Sequence, residues 1–321
     1  MLLTLLCSLI PCQSIEPVQT YFSVKQGIIV HVSLPEGHDT GKLIVLDQND
    51  NQLGRSATVT SGTHDVSLRI TELTTIDKAV WLQLSVDGES VGAPIVVSPL
   101  LSRDVPVTEE AVRGDGQSTY TKIVDWKNEA EDDSLDAPLV SGYRAYQDEY
   151  AIMKTSEGDI RIKFRPDEAP NTVWNFLELA KNNFYNETIF HRIVPMTSKG
   201  FPFVIQGGDP TGTGSGGPGW WLPIENSSLK HDLGVISMAR ANDPDSAGSQ
   251  FFFCLSREGT ARLDGQYCSF GETVDGIDVI QKIASMPLDD ALMGKPKEAP
   301  IVHSIEFEPV EPRVPNKAIP Q

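Results

Sequence analysis

The chain reads as mainly β: a closed barrel of short strands stoppered by two helices, preceded by a smaller β-sandwich. Three observations predict this. Apolar and polar residues alternate over short runs, as in Asp159-Ile-Arg-Ile-Lys-Phe164, which sets Ile160, Ile162 and Phe164 on one face. Clusters of Gly, Pro, Asn and Asp separate those runs and supply the turns. Helical periodicity is confined to two segments of the C-terminal half. A length of 321 residues leaves room for two domains with separate cores.

In chain order, Met1–Ile10 is apolar and Pro11-Cys-Gln-Ser14 breaks it. Residues 1–14 read as a short export signal, although a basic n-region and a small-residue cleavage site are missing. The expected location is therefore extracytoplasmic, periplasmic or secreted; without a signal it would be cytoplasmic. Residues 15–102 read as a sandwich of immunoglobulin-like type, from the strand patterns Gly27–Leu34, Lys42–Asp47 and Ala79–Val86 and the turn clusters between them. Trp81 belongs to that core. Asp47, Asn49 and Asn51 match the first ligand positions of a calcium loop, but Gln52 and Thr58 stand where Gly and Glu are required, so the segment reads as a hairpin turn.

Residues 103–147 read as an acidic linker. Glu129, Glu131, Asp132, Asp133 and Asp136 repel one another, and at most a strand or short helix is expected around Tyr120–Trp126. Regular structure resumes in a second domain, 148–311, with a hairpin formed by Tyr150–Thr155 and Asp159–Phe164. Pro170-Asn171 opens a helix whose Val173, Phe176, Leu177 and Ala180 make one apolar stripe. Gly276–Ala284 supplies the second helix through Ile277, Ile280, Ile283 and Ala284. Gly234–Met238, Gln250–Leu255, Ser269-Phe270 and Ile301–Phe307 are further strands, and the Pro-rich tail 312–321 reads as disordered.

Formal net charge is −18, from 26 Lys and Arg against 44 Asp and Glu. Such a surface repels phosphate backbones and anionic lipid, which argues against nucleic-acid binding. No run approaches the ~20 apolar residues of a membrane span. Cys7 and Cys12 fall in the signal segment; Cys254 and Cys268 have no CxxC or metal-ligand spacing and read as buried free thiols, with pairing left open in an oxidising compartment if their strands are adjacent. The histidines form no HExxH, so no metal site is expected. Gly212-Thr-Gly-Ser-Gly-Gly217 matches GxGxxG but runs into Pro218-Gly-Trp-Trp221, which cannot open a phosphate-binding helix.

The chemistry concentrates in Phe190-His-Arg-Ile-Val-Pro195 and Phe203-Val-Ile-Gln-Gly-Gly-Asp209. One arginine, one glutamine and several apolar side chains lie close together there without a nucleophile, so the site can bind and polarise but has little means of breaking a bond. His191 alternates with Arg192, falls on the opposite pleat and reads as a hydrogen-bonded core histidine.

These two stretches, with Gly214-Ser-Gly-Gly217, Ser237-Met-Ala239, Gly248-Ser-Gln-Phe-Phe252 and Leu263-Asp-Gly265, occur in the order found in cyclophilin-type peptidyl-prolyl cis–trans isomerases. The sequence resembles that family from about Tyr150 to Glu308. The resemblance implies a closed, eight-stranded antiparallel barrel with two capping helices, isomerisation of Xaa-Pro bonds in proline-containing polypeptides, assistance to protein folding, and no cofactor. It makes Arg192 the catalytic arginine, Gln206 its orienting partner and Phe203, Phe252 and Leu263 the proline pocket. Val204 stands where methionine is frequent, and Tyr267 where many members carry histidine. Ala239, Arg240 and Ala241 match the segment that lines the substrate backbone, and Gln250 a polar wall. Three departures stand out. Arg262 replaces a frequent tryptophan that helps bind cyclosporin. Met196–Pro202 occupies the place of a single glycine and makes Phe201 a rival to Phe203. Arg240 replaces a frequent asparagine. These departures and the extra domain keep open a proline-binding or scaffold module with little isomerase activity.

Overall fold

The computed structural model describes residues 14–114, 116–129 and 140–316. The export signal expected at 1–14 lies outside them except for Ser14. The chain divides into two compact units: Met1–Leu101 with Leu139–Asp148 and Pro309–Gln321, and Ser102–Pro138 with Glu149–Glu308.

The first unit is built from β1 (Ser14–Pro17), β2 (Tyr21–Ser23), β3 (Ile29–Ser33), β4 (Gly41–Leu46), β5 (Gln52–Val59), β6 (Gly62–Asp65), β7 (Val80–Val86), β8 (Glu89–Leu101) and β11 (Val140–Gln147). β1-β3-β6 form one antiparallel sheet and β2-β11-β8-β7-β4-β5 the other. Ile15, Val30 and Val32 from the first share one buried core with Leu43, Val45, Leu82, Leu84 and Val97 from the second. Trp81 is buried as expected. Asp47 ties its own hairpin turn, accepting from the Asn49 and Asn51 N–H groups. Two expectations fail here. β11 comes from the stretch read as linker and adds a strand to this unit. Residues of the tail read as disordered are anchored: the Arg313 N–H donates to Gln83 Oε1 at 2.8 Å, and its Nε donates to Asp50 Oδ1 at 2.6 Å.

The second unit begins with β9 (Asp104–Val112) and β10 (Thr119–Asn128), an antiparallel hairpin inside the segment read as linker. Its faces are mostly exposed and Ile123 alone among its apolar residues is fully buried, so composition without burial concealed it. There follow β12 (Glu149–Thr155), β13 (Gly158–Phe164), α1 (Pro170–Lys181), β14 (Thr188–Ile189), β15 (Arg192–Val194), β16 (Val204–Gly207), β17 (Val235–Met238), β18 (Phe251–Cys254), the one-turn α2 (Arg257–Thr260), β19 (Ser269–Asp275), α3 (Ile277–Ala284), the short pair β20 (Leu288–Asp290) and β21 (Lys295–Pro296), and β22 (Ile301–Pro309).

One nine-stranded sheet runs β14-β22-β12-β13-β19-β17-β18-β16-β15 and curls into a half-barrel. The expected closed, eight-stranded barrel is therefore corrected. Among the described residues no strand ladder joins the edges β14 and β15; a single bridge between Ile189 and Asp209 spans the gap. The two edge strands are only two and three residues long, too short to close the sheet with a ladder of their own. Inside the curl, Ile160 and Ile162 from β13, Val173 and Phe176 from α1, and Phe251, Phe253 and Phe270 are buried. The Phe176 ring meets Phe164, Tyr185, Phe251 and Phe270, with centroids 4.9–5.8 Å apart. This packing makes the sheet a rigid base for whatever stands on its other face.

Candidate active site

Strand register builds the site. Arg192 pairs with Gln206, Gln206 with Phe252 and Phe252 with Ser237, which sets one row across β15, β16, β18 and β17. Directly opposed residues share a face and alternate with their chain neighbours. The next row on that face is Val194, Val204 and Cys254. The intervening row, Ile193, Ile205, Phe253 and Ile236, is wholly buried on the other face. One face therefore anchors the strands while the other presents Arg192 beside an apolar cluster of Val204, Val235, Phe252, Cys254 and Leu263. Val194, Phe203, Ala239 and Tyr267 pack against that cluster.

Arg192 Nη1 donates to Gln206 Oε1 at 3.2 Å, and Gln206 Nε2 donates to Gln250 Oε1 at 3.0 Å. Gln250 Nε2 donates in turn to the carbonyls of Gly216, at 2.9 Å, and Gly214, at 3.2 Å. The glycine-rich segment that mimics a dinucleotide motif is thus a brace for the arginine. Buried Asp209 holds that brace: Oδ1 accepts from the Thr211 N–H and hydroxyl, and Oδ2 from the Gly214 and Gly216 N–H groups. Burial opposes ionisation of Asp209, but these bonds prevail and hold its carboxyl below the usual range. Gly214 has φ +86°, and a Cβ on Gly216 would strike the Asp209 carboxylate, so both positions require glycine.

Arg192 Nε and Nη2 have no hydrogen-bond partner among the described residues. The side chain is exposed, yet the apolar walls withdraw part of it from water and lower its pKa, with Tyr267 opposing. An arginine so lowered still carries its charge at neutral pH. The site therefore offers two fixed, charged N–H directions over an apolar hollow.

The sequence-derived residues come together here. Phe203 packs on the pocket cluster, whereas Phe201 is exposed in the Met196–Pro202 loop. The loop closes on itself through Thr197 N–H to the Phe201 carbonyl at 2.7 Å and is held by Ser256 Oγ to the Pro202 carbonyl at 2.8 Å. Ser256 also caps α2, accepting from the Gly259 N–H. Arg262 lies over the Phe203 ring at 4.7 Å from its centroid. Arg240 turns away from the hollow, spending its donors on the carbonyls of Gln266, Ala241 and Asn242 while covering Tyr267. Ala239, Ala241 and Gln250 line a groove of about 920 Å³ beside the hollow. Cys254 and Cys268 are buried and free, and burial pushes the Cys268 thiol up to about 12. Neither ring nitrogen of His191 makes a hydrogen bond of good geometry, contrary to expectation; burial lowers its pKa and keeps the ring neutral. Among the described residues no cluster of metal-ligating groups is present.

Sequence reasoning missed the support beneath the pocket. His231 stacks on Phe252 and hydrogen-bonds Ser237 Oγ through Nε2 and Asp264 through Nδ1. Asp264 also accepts from the His231 N–H and from Arg257, which fixes the turn carrying Leu263. Only Ser237 and the turn residue Asp264 had appeared in quoted motifs. His231 and Arg257 sit far apart in sequence and gave no local signal.

Residues 150–307 match the family described as cyclophilin type peptidyl-prolyl cis-trans isomerase/CLD. A peptidyl-prolyl cis-trans isomerase of Synechococcus elongatus is 44% identical over 125 residues, covering 39% of this chain and 80% of that protein. One of Helicobacter pylori is 42% identical over 138 residues, covering 42% of this chain and 79% of that protein. The peptidyl-prolyl cis-trans isomerase-like 2 of Rhizopus delemar is 44% identical over 146 residues, 44% of this chain but 26% of that protein, so the chain spans about a quarter of that relative's length.

Proposed function

The chain belongs to the cyclophilin-type peptidyl-prolyl cis–trans isomerase family, and on that premise we propose that it accelerates rotation about Xaa-Pro bonds with Arg192 as the electrostatic catalyst. The observation that carries this reading is the braced Arg192 guanidinium standing over the apolar hollow. Resonance opposes rotation with a barrier of roughly 18–20 kcal/mol. As the bond twists, the imide nitrogen regains its lone pair and becomes a better acceptor. A fixed N–H donor then stabilises the twisted state more than the planar one, and only that difference speeds the reaction. Phe203, Phe252 and Leu263 would grip the proline ring while the preceding carbonyl turns, and Ala239 to Ala241 would lie along the substrate backbone. No covalent bond breaks, so no nucleophile is needed. The testing experiment is an isomerisation assay on an Xaa-Pro peptide; acceleration is expected, and its absence overturns the reading.

Its substrates are read as proline-containing polypeptides outside the cytoplasm. The apolar run Met1–Ile10 supports that location, and recovery of the full-length protein only from the cytoplasmic fraction would sink it. The two-sheet N-terminal unit is read as an immunoglobulin-like sandwich, supported by the shared core of its two antiparallel sheets. Cyclosporin is expected to inhibit weakly, because Arg262 lies on Phe203 in place of an indole. Tight inhibition in a titration of activity would contradict this.

A further inference from the structure

The β9–β10 hairpin stands against the pocket rather than apart from it. Gln266 imitates a neighbouring strand, accepting from the Ile123 N–H at 2.9 Å and donating to the Ile123 carbonyl at 2.9 Å. The Thr121 N–H donates to Asn242 Oδ1 at 3.3 Å, and Arg103 pairs with Asp245 at 2.9 Å. Ile123 is buried in the seam. Between the hairpin and the isomerase core lies a cleft of about 880 Å³, a volume that accommodates several side chains.

Two properties of this cleft bear on substrate. It adjoins the proline pocket, because Leu263 and Tyr267 line it and also belong to the apolar cluster beside Arg192. Among the described residues it is also lined by Arg113, Lys122, Arg240 and Arg262, against one acid, Asp264. That acid is engaged inward by Arg257 and His231. Arg262 has no ionic partner among the described residues, and Lys122 is paired at 3.6 Å with Glu109, its cross-strand neighbour in the hairpin. On a chain of net charge −18, so many cations around one hollow run against the general trend.

We propose that this cleft is a subsite for an acidic side chain flanking the substrate proline, with the hairpin's Arg113 and Lys122 and the pocket's Arg262 as the residues that select it. The inference rests on the isomerase reading above. An extended peptide advances ~3.3–3.6 Å per residue, so a carboxylate a few residues from the proline reaches the cleft while the ring occupies the pocket. Arg240, with its donors spent on carbonyls, contributes charge rather than contacts.

The test uses the full chain and three otherwise identical Ala-Pro peptides carrying Glu, Gln or Lys in the flanking position, followed by NMR exchange spectroscopy. Shift titrations in the same samples give the dissociation constants. The Glu peptide is expected to exceed the Lys peptide by about three- to tenfold in kcat/KM, as a few partly screened charge pairs allow. Salt near 1 M, where the Debye length is about 3 Å, should erase most of that ratio. Arg113→Glu with Lys122→Glu should invert it; because a ratio within one variant is read, any loss of folded protein cancels. Equal rates and affinities for Glu and Lys peptides, or an unchanged ratio in the reversed variant, overturn the subsite. Failure to accelerate any of the three overturns the isomerase reading instead, and the dissociation constants still decide the subsite.

Discussion

Arg192→Ala is expected to lower kcat/KM about ten- to a hundredfold in a protease-coupled assay on an Xaa-Pro peptide. The size follows from the single interaction removed. A charge-assisted hydrogen bond contributes about 1.5–3 kcal/mol, and each ~1.4 kcal/mol is tenfold in rate. A larger loss would mean that the substitution also disturbs the Gln206–Gln250–Gly216 brace. Arg192→Lys should rescue little, because an ammonium on a flexible stem cannot both hold Gln206 and aim a second donor at the imide. The residual activity would belong to the apolar pocket, which orients the proline ring and excludes water.

Asp264→Ala is expected to destabilise the fold by about 1–3 kcal/mol, since it leaves the buried His231 without its acceptor, while the part-exposed Arg257 guanidinium can turn to water. Chemical denaturation measures this directly. The same carboxylate predicts the acid limb of stability. Burial opposes its ionisation, but hydrogen bonds from Arg257 and His231 outweigh it and hold the pKa at about 2 against 3.8 unfolded. A carboxyl depressed in the folded state stabilises fully above its unfolded pKa, and that contribution disappears as pH falls from about 4 to about 2. A shift of that size corresponds to about 2 kcal/mol. Asp264→Asn should flatten this part of the profile. A wild-type stability unchanged between pH 4 and pH 2 would contradict the assignment.

The sequence was most legible where burial follows a simple period. The alternation of Ile160, Ile162 and Phe164 reports a strand that is buried on one face, and the stripe Val173, Phe176, Leu177 and Ala180 a helix that is buried along one side. The site residues were legible for a different reason: Arg192, Gln206 and Phe252 lie in short motifs, and pairing in register converts those motifs into one row. Features made by distant polar groups were not legible. Asp209 bracing a glycine loop, His231 beneath Phe252 and Gln266 imitating a strand leave no periodic trace. The β9–β10 hairpin escaped because an exposed ladder has the composition of a linker. Barrel closure was overstated because strand number and alternation say nothing about whether two very short edges can meet.

The central claim is that Arg192 acts on the twisted imide and not on the planar substrate. Exchange spectroscopy on wild type and Arg192→Ala, with peptide affinity and on-enzyme rotation rate taken from the same spectra, tests it most directly. The rotation rate is expected to fall about ten- to a hundredfold while the dissociation constant changes by less than about threefold, the signature of an interaction made in the transition state. A dissociation constant that weakens as much as the rate falls, or a rotation rate left intact, would contradict it.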